Sequence, residues 1–395
     1  MSDLSPQTVS PLTTLYNNAT MKRYLIILMS LAVCGQCAAQ GGVAGFFKKV
    51  GAFIDTMSVK GLDRNYIDAP EKPWQIIVKG NVNQSVLKME TAGEILGVKY
   101  KASPKLTTEP ASYVGVWAGY RGYGIGYTVN VGGDKGSYFT IGATGGAYGV
   151  NLRIHSFEND NPEFDVSGDL GDGSDVDKDK RVKLMEAIRC KTVIADAYYM
   201  FNGKRFSYAA AYDQSVVQKR SAGSLMVGAM FYYAHTDYAK DKNGDLIYMM
   251  HGLGRMKMWQ GSLGVGYAFN WVPARGLLVS AMAMPMLTVV NREKRYNYST
   301  NVEQLMDDPK FDDPTISDAE REEWWYSSLR ITPAGKESYN SGLAVNFDAR
   351  LSLTYNFGRF FANAYGQFYN FRYHHDDSRG YLNDWFVNAS FGIRL

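Results

Sequence analysis

Charged side chains at alternate positions of strand-like segments are the residues best able to do chemistry in this chain. On the inner face of a closed sheet, such charges would either pair across strands or select the solutes that pass. Cross-strand pairing is the commoner outcome, because a buried charge without a partner is costly. The predicted inward-facing charges are Lys79, Lys99, Lys101, Arg153, His155, Asp196, Asp348, Arg350 and Arg394.

Two groups of metal-ligand residue types do not combine into a metal site. The acidic segment 172–186 spaces its carboxylates as a calcium loop does, but Lys180 stands where the sharp turn needs glycine. The adjacent residues His374 and His375 point in different directions in a strand-flanked loop, so they do not converge on one ion. We therefore predict no metal and no cofactor.

Catalytic motifs are equally weak. Ser262 with His235 or His251 could form a hydrolase pair, but no spacing requires it and no GxSxG is present. The segment Gly122–Gly126 follows a GxGxG pattern within a strand and has no helix after it, so it cannot bind a dinucleotide. Its glycines are expected to relieve crowding inside a closed sheet, and no residue is predicted to be catalytic.

Alternation of apolar and polar residues predicts the elements that carry these side chains. In the segment 343–357, Leu, Val, Phe and Tyr occupy one face, and Asn, Asp, Arg, Ser and Thr occupy most of the other. The segment 259–271 alternates in the same way and has Trp at both ends. Long alternating strands with aromatic ends are typical of a transmembrane β-barrel. A soluble β-sandwich is the alternative.

Twelve such strands are predicted, and the connections between them test the count. A barrel that begins and ends in the periplasm has an even number of strands, long outer loops and short inner turns. The predicted outer loops are 158–190, 236–257, 291–342 and 373–384, and the inner turns are at 130–136, 271–275 and 358–359. The predicted strands are 74–87, 94–101, 113–120, 123–130, 139–157, 192–201, 222–235, 259–271, 276–290, 343–357, 360–372 and 385–395.

The fold prediction is therefore all-β: a single-chain antiparallel transmembrane β-barrel over residues 73–395. Twelve strands are expected, and fourteen are the alternative, with a split at Gly145-Gly146. A further helix is predicted in the outer loop 291–342, where Ser317 and Glu320 form the pattern of a capping box.

The N-terminal region predicts export. Residues 21–39 have a positive start, a short apolar core and small residues before a cleavage site near Ala39-Gln40, as secretory signal peptides do. Residues 1–20 are interpreted as a start-site overcall or a disordered leader. Within the periplasmic segment 40–72, apolar residues from Val43 to Met57 follow helical spacing and predict a short amphipathic helix. The expected location is the outer membrane of a Gram-negative cell.

Composition agrees with this location. The 395 residues are 46% hydrophobic and 21% charged, and they include 28 Tyr and 40 Gly, which suit strands that meet lipid headgroups and water. A net charge of +3 is too small to indicate nucleic acid. After cleavage one thiol, Cys190, would remain and no internal disulfide could form. The expected partners are outer-membrane lipid and the barrel-assembly machinery.

One inner connection, 202–221, is long and partly strand-like. If 206–213 were a full strand, the long loops would change sides, so the connection is predicted to lie at or in the periplasmic mouth. It is the first candidate for a functional element. Its candidate residues are Asn202, Phe206, Ser207, Tyr208, Gln218, Lys219, Arg220, Ser221, Gly223 and Ser224.

Three short motifs resemble those of a known family. These are Asp63-Arg64-Asn65-Tyr66-Ile67 before the first strand, NGKRFSY at 202–208 and QKRSAGS at 218–224. On these motifs the chain resembles an uncharacterised outer-membrane β-barrel family that is common in Bacteroidetes-type bacteria. The resemblance would cover residue 60 to the C-terminus. It implies a location and a fold but no reaction.

Three functions remain open from the sequence. The first is a structural barrel or a porin-like channel for small solutes that uses the inward charges. The second is a surface-binding protein that acts through its long outer loops. The third is a barrel hydrolase acting on lipids.

Overall fold

The computed structural model describes residues 42–95, 98–133, 135–159, 163–169, 175–181, 184–375 and 378–395. The predicted leader and signal peptide lie outside these residues. Within them, no helix is both long and apolar enough to cross a bilayer.

Strands make up most of the described chain. They are β1 (Ile67–Asp68), β2 (Trp74–Ile95), β3 (Val98–Thr107), β4 (Ala111–Tyr120), β5 (Tyr123–Gly132), β6 (Lys135–Thr144), β7 (Tyr148–Asn159), β8 (Glu163–Asp169), β9 (Asp175–Arg181), β10 (Ile188–Met200), β11 (Val217–Gln218), β12 (Ala222–Asp237), β13 (Leu253–Ala274), β14 (Leu277–Thr300), β15 (Ile331–Asn340), β16 (Ala344–Phe357), β17 (Phe360–His375) and β18 (Ser378–Arg394). The helices are α1 (Gly42–Val59), α2 (Tyr208–Tyr212), α3 (Gly244–Met249), α4 (Val302–Met306) and α5 (Asp318–Ser328).

Twelve antiparallel strands close into a barrel, which confirms the predicted fold class. Consecutive ring strands are hydrogen-bonded neighbours, and β18 pairs with β2 from Gln75 to Thr91 to complete the ring. The ring strands are β2, β4, β5, β6, β7, β10, β12, β13, β14, β16, β17 and β18. Closure leaves no free edge in the ring, as strands that cross a bilayer require.

The two faces of the strands are inverted relative to a soluble protein. On β13, the outward-facing residues Val265 and Trp271 are exposed, whereas the inward-facing residues Ser262 and Asn270 are buried. The same alternation runs along β16, where outward Leu and Val alternate with inward Asp, Arg, Ser and Thr. An apolar outer surface around a polar interior suits lipid outside and water or polar contacts inside. The predicted register of these strands is confirmed.

The predicted number of ring strands is correct, but two of the predicted strands are wrong, and these two errors cancel in the count. The predicted strand 94–101 does not join the ring, because these residues form the end of β2 and the start of β3, a hairpin beyond β4. The predicted single strand 139–157 is two strands, β6 and β7, that meet at a turn over 145–147. One strand is lost and one is gained, so the split at Gly145-Gly146 occurs without raising the count to fourteen.

These differences change which end of the barrel some turns occupy. We call the end that carries the loops after β7, β12 and β14 the long-loop end, and the opposite end the short-turn end. The turn within 130–136 was expected among the short inner turns. It lies at the long-loop end, because removing 94–101 from the ring reverses the direction of β4 and β5.

Much of the long-loop end is folded. Region 158–190 contains the hairpin of β8 and β9, which extends the sheet through β3. Region 291–342 begins with the end of β14, which pairs with β15, and also contains α4 and α5. Region 373–384 was expected to be a loop, but strands occupy it except at 376–377, which lie outside the described residues.

Two helices predicted from the sequence are confirmed. The helix α1 includes the whole run of helical spacing from Val43 to Met57. In α5, Ser317 accepts a hydrogen bond from the backbone N–H of Glu320, and the Glu320 carboxylate accepts one from the backbone N–H of Ser317. These reciprocal bonds satisfy N–H groups that the first turn of a helix leaves free.

Part of the barrel interior is a packed apolar core. Met282, Met284 and Met286 of β14 are buried there beside aromatic side chains of β10, β12 and β17. The apolar and aromatic neighbours of these three methionines make them part of the packing. Methionine suits this position because its flexible thioether fills irregular space.

Candidate functional site: the plugged lumen

The connection between β10 and β12 turns back into the barrel, and residues 202–218 are hereafter called the plug. Phe206 and Tyr208–Ala211 of the plug are buried. Its short helix α2 begins after Ser207, whose hydroxyl accepts a hydrogen bond from the backbone N–H of Ala210 at 3.1 Å. The plug enters from the short-turn end, where the sequence placed this connection.

Gln218 is the central tether of the plug. Its side-chain oxygen accepts from the Ser207 backbone N–H at 3.0 Å and from Asn270 Nδ2 at 3.1 Å. Its Nε2 donates to the backbone carbonyls of Arg205 at 2.6 Å and Arg220 at 2.9 Å. Asn270 also donates to the Ser207 carbonyl, so one wall residue of β13 contacts both ends of the plug.

The motif Asp63–Ile67, which precedes the first ring strand, is bound to the plug. The strand β1 pairs with β11, so Ile67 lies opposite Gln218. The Arg205 guanidinium forms an ion pair with Asp63 at 3.6 Å and lies 5.0 Å from the centre of the Tyr66 ring. The three motifs that carried the family resemblance therefore meet at one structural element.

The inner part of the plug is bound to the opposite wall. The Ala211 carbonyl accepts hydrogen bonds from Ser352 Oγ at 2.7 Å and Asn363 Nδ2 at 3.2 Å. The Gln214 carbonyl accepts two from Arg394, at 2.7 and 3.1 Å. These contacts join the plug to β16, β17 and β18, so it reaches across the lumen.

Asp213 lies at the end of α2 beside Arg394 and is partly buried. The backbone N–H of Ser215 and the Thr144 hydroxyl donate to its carboxylate. Burial raises the pKa of the Asp213 carboxyl to about 6, although these hydrogen bonds and the Arg394 charge oppose the rise.

Arg350 is the centre of the polar interior. Its Nη2 lies 3.1 Å from Asp348 and 3.3 Å from Asp196, and its guanidinium donates to the hydroxyls of Tyr198 and Tyr208. Tyr198 donates to Asp348 at 2.6 Å. Because Tyr208 belongs to the plug, this cluster connects β10 and β16 to the plug.

Lys79 and Arg153 also point into the lumen. Lys79 Nζ donates to Thr140 Oγ1 at 3.3 Å. Arg153 crosses the lumen to donate to Gln367 Oε1 at 2.9 Å, and its guanidinium lies 3.9 Å from the centre of the Phe386 ring.

His155 lies inside the barrel within an aromatic stack. Its ring is parallel to Tyr138 at 3.7 Å and nearly parallel to Phe157 at 4.4 Å, and its Nε2 is 2.9 Å from the Tyr113 hydroxyl. These contacts make His155 part of the packed interior.

Two predicted lumen residues are not on the ring. Lys99 and Lys101 belong to β3, which pairs with β2 and β8 beyond the closed part of the sheet. They were placed on the inner wall because a projecting hairpin alternates in polarity as a ring strand does.

The remaining predicted mouth residues hold the ends of the plug or lie exposed beside it. Ser224 Oγ accepts from the Asn202 backbone N–H at 3.0 Å, and Asn202 Nδ2 donates to the Gly223 carbonyl at 2.8 Å. The Ser221 hydroxyl accepts from the Val272 backbone N–H at 2.9 Å. Lys219 and Arg220 are exposed at the short-turn end.

The hydrolase pair predicted as an alternative is not assembled around Ser262. Ser262 Oγ lies 2.9 Å from Thr288 Oγ1 and 3.3 Å from Asn346 Nδ2, and both distances fit hydrogen bonds inside the barrel. Over the described ranges no cluster of three or more His, Cys, Asp or Glu could hold a metal ion. Most of the acidic segment 172–186 lies outside the residues whose side chains are described, and so does the segment 373–378, which includes the histidine pair.

The glycine-rich strand pair β4 and β5 makes room for two large inward side chains. A Cβ atom on Gly124 would meet the Trp117 ring, and one on Gly126 would lie 2.7 Å from Trp117 and 2.9 Å from Lys79 Nζ. The predicted role of these glycines in relieving crowding is thereby confirmed.

Sequence reasoning missed the uncharged members of the cluster. Tyr198 and Gln367 bond inward charges across the lumen, and Asn151 and Tyr369 bond inward charges on neighbouring strands. Inward parity on their strands was an available signal, but it marks every second residue and does not separate these four from the rest.

A closed antiparallel ring with an apolar outer face, a polar interior and a plug defines the molecule as a transmembrane β-barrel. The chain belongs to the family described as Domain of unknown function (DUF4421), whose model matches residues 61–394. No curated protein matches the chain.

Among solved structures, the chain is similar to the beta domain of the Bordetella autotransporter Brka, with 11% identity, a TM-score of 0.29 and coverage of 82% of this chain and 100% of that one. It is similar to the translocator domain of the autotransporter NalP from Neisseria meningitidis, with 10% identity, a TM-score of 0.29 and coverage of 93% and 99%. An outer membrane channel from Pseudomonas putida F1 has 9% identity, a TM-score of 0.28 and coverage of 82% and 97%.

Proposed function

We propose that the protein is an outer-membrane channel for small solutes whose lumen is closed, in the conformation described, by the plug. The observation that carries the proposal is a polar cavity of about 110 Å³ beside the plug, lined by Lys79, Arg153 and Arg350. A barrel that served only as a scaffold could fill this space with apolar side chains. Buried charge is costly, so its presence favours a role in handling polar solutes.

The proposed orientation places the short-turn end in the periplasm and the long-loop end outside the cell. Short periplasmic turns and long external loops are the usual asymmetry of outer-membrane barrels. Export would follow cleavage near Ala39-Gln40, and insertion would need outer-membrane lipid and the barrel-assembly machinery as partners.

The way the plug is held favours a movable closure. Many of its wall contacts are hydrogen bonds, including those to Asn270, Ser352, Asn363 and Arg394. Water can replace each such bond at a net cost of about 0.5–1.5 kcal/mol. The plug also packs Phe206 and Tyr208 into the apolar core, which keeps the closed state dominant.

Planar-bilayer conductance tests this function. The test variant replaces residues 205–217 with a Gly/Ser linker of the same length, and the matched control replaces the exposed outer segment 307–316 in the same way. We expect rare, small openings from the wild-type barrel, steady conductance from the plug variant and wild-type behaviour from the control. A milder variant, Gln218→Ala, should raise the open probability, because it removes four hydrogen bonds from the plug.

A heat-dependent shift in gel mobility would show that each variant has folded. If the folded plug variant and Gln218→Ala both remain non-conducting, the channel proposal is wrong and a structural role is favoured.

A second candidate function, surface binding, rests on the folded long-loop end. There α3 packs into an apolar cluster, and a pocket of about 500 Å³ is lined by Tyr248, His251, Tyr298 and Glu303. His251 has a φ of 52°, a left-handed conformation that favours glycine.

In the His251→Gly variant the fold should be at least as stable, whereas binding of the purified barrel to a panel of polysaccharides should weaken if this pocket is used. Unchanged binding in His251→Gly, or no binding by wild type, would argue against this candidate.

A further inference from the structure

The polar cavity beside the plug has an uneven distribution of charge. Besides Arg350, it is lined by the cations Lys79 and Arg153 and by the carboxylates of Asp196 and Asp213. Whether a cavity of this kind holds only water or also an ion depends on which of these charges already have partners.

The two lining carboxylates are already engaged. Asp196 lies 3.3 Å from Arg350 and accepts a hydrogen bond from Asn151 at 2.6 Å. Asp213 accepts from the Ser215 backbone N–H at 2.8 Å and from the Thr144 hydroxyl. Arg350 has a second carboxylate, Asp348, at 3.1 Å, so this cluster of one guanidinium and two carboxylates has a formal charge of −1.

Lys79 and Arg153 have only neutral partners at close range. The hydroxyl of Thr140 accepts from Lys79, and the amide oxygen of Gln367 accepts from Arg153. Within the part of the chain that the structure describes, no carboxylate oxygen lies within the 4.0 Å ion-pair distance of either cation. Beyond that distance, the inner-wall carboxylate of Asp384, which accepts a hydrogen bond from Ser85 at 3.3 Å, still attracts Arg153 electrostatically.

Two cations that face one cavity repel each other, and the repulsion is stronger inside a protein than in water. Each keeps donor hydrogens beyond its single described bond, because an ammonium has three N–H donors and a guanidinium has five. An anion in the cavity would relieve the repulsion and accept these donors, and charge-assisted bonds of this type are the strongest that the site could form.

We propose that the cavity binds one small oxyanion between Lys79 and Arg153. A single water molecule needs about 10–15 Å³ of cavity volume. The cavity's volume of about 110 Å³ therefore has room for a phosphate or a sulfate with several waters. If the channel proposal holds, this site also names the solute class as small anions. Binding itself needs no movement of the plug, so it can be tested apart from conductance.

Phosphate binding by the purified full-length barrel in detergent tests the site. Isothermal titration calorimetry with sodium phosphate, at an ionic strength held constant with sodium gluconate, gives the dissociation constant. The variants are Lys79→Met and Arg153→Met, which keep much of the side-chain length and remove the charge. Lys191→Met on β10 is the matched control, because Lys191 does not line the cavity. We expect saturable 1:1 binding in wild type and the control, and a dissociation constant at least tenfold weaker in each cavity variant.

Thermal unfolding gives a second readout that a purely structural lysine would not produce. In phosphate-free gluconate buffer, Lys79→Met should unfold at a higher temperature than wild type, because it removes a repelling charge. Added phosphate should raise the unfolding temperature of wild type and leave that of Lys79→Met unchanged.

If Lys79→Met does not fold, Lys79→Gln and Arg153→Met carry the same comparison. Absence of saturable binding in wild type, or equal affinity in Lys79→Met and Lys191→Met, would overturn the proposal. Failure here with a conducting plug variant would leave the channel proposal intact.

Discussion

Replacing Arg350 with methionine tests whether the central charge cluster stabilises the barrel. The substitution removes a cation that lies 3.1 Å from Asp348 and 3.3 Å from Asp196. The two buried carboxylates are then left without their positively charged partner. Removing one partner of a buried ion pair typically costs about 3–5 kcal/mol, because the remaining charge is desolvated and unpaired. The bonds to the Tyr198 and Tyr208 hydroxyls are lost as well. We therefore expect a loss of about 3–5 kcal/mol in the free energy of unfolding.

Reversible urea unfolding of the barrel in lipid vesicles measures this loss. The decisive comparison is the triple variant Arg350→Met, Asp348→Asn, Asp196→Asn, which removes all three charges. Replacing a whole buried ion pair with neutral groups is often close to neutral for stability. The triple variant should therefore recover at least half of the loss caused by Arg350→Met. A loss below about 1 kcal/mol in the single variant, or no recovery in the triple variant, would refute this reasoning.

Three further predictions concern the plug, the lipid-facing surface and pH. Gly149→Ala should destabilise the barrel by about 1–3 kcal/mol and make the plug more sensitive to protease, because the added Cβ would lie 2.7 Å from the Tyr208 ring. Gly142→Ala is its control, because the nearest atom there is 3.9 Å away, and equal effects would contradict the packing argument. Val265→Arg, at a position 61% exposed on the outer face, should cost about 2–4 kcal/mol in urea unfolding, and a cost below about 1 kcal/mol would contradict the membrane assignment. Burial raises the pKa of Asp213 from 3.8 to about 6, so its protonated form stabilises the fold fully below pH 3.8, and this contribution is lost as the pH rises through 6. Relative to Asp213→Asn, the wild-type barrel should thus lose on the order of 2 kcal/mol across that window, and parallel pH profiles would show that the carboxyl is not responsible.

The faces of the strands could be predicted from the sequence because a lipid-facing strand has a strict period of two. Val265 and Ser262 differ by an odd number of residues, so they must lie on opposite faces of β13, as they do. The motif-rich connection 202–221 could be located because the parity of the long loops left no room for another full strand.

The strand order was harder to predict, because alternation does not distinguish a ring strand from a hairpin that projects beyond the ring. The strand β3 alternates as a ring strand does, yet it pairs only with the far end of β2 and with β8. The boundary between β6 and β7 is a turn of three residues, too short to interrupt a polarity pattern.

The partners of the inward charges could not be predicted for a different reason. Arg153 and Gln367 are 214 residues apart and meet across the lumen. Such contacts depend on the curvature of the closed ring and on the plug, and neither has a local signature in the sequence. Parity therefore identified the charges, and closure of the barrel determined which of them became ion pairs.

The short ladder between β1 and β11 gives the closed barrel a mechanical property. Two residue pairs, Ile67 with Gln218 and Asp68 with Val217, form this ladder, and the hydrogen bond from the Asp63 N–H to the Lys204 carbonyl and the Asp63–Arg205 ion pair also join the segment 63–68 to the plug. Tension applied to the chain ahead of Asp63 would reach Lys204 and Arg205, and then Gln218, before any ring strand is loaded. Gln218 is the residue on which the other tethers of the plug converge. A periplasmic partner that pulled on the chain ahead of Asp63 would thus act directly on the plug. The hydrogen-bonded ring has no free edge and would resist the same force.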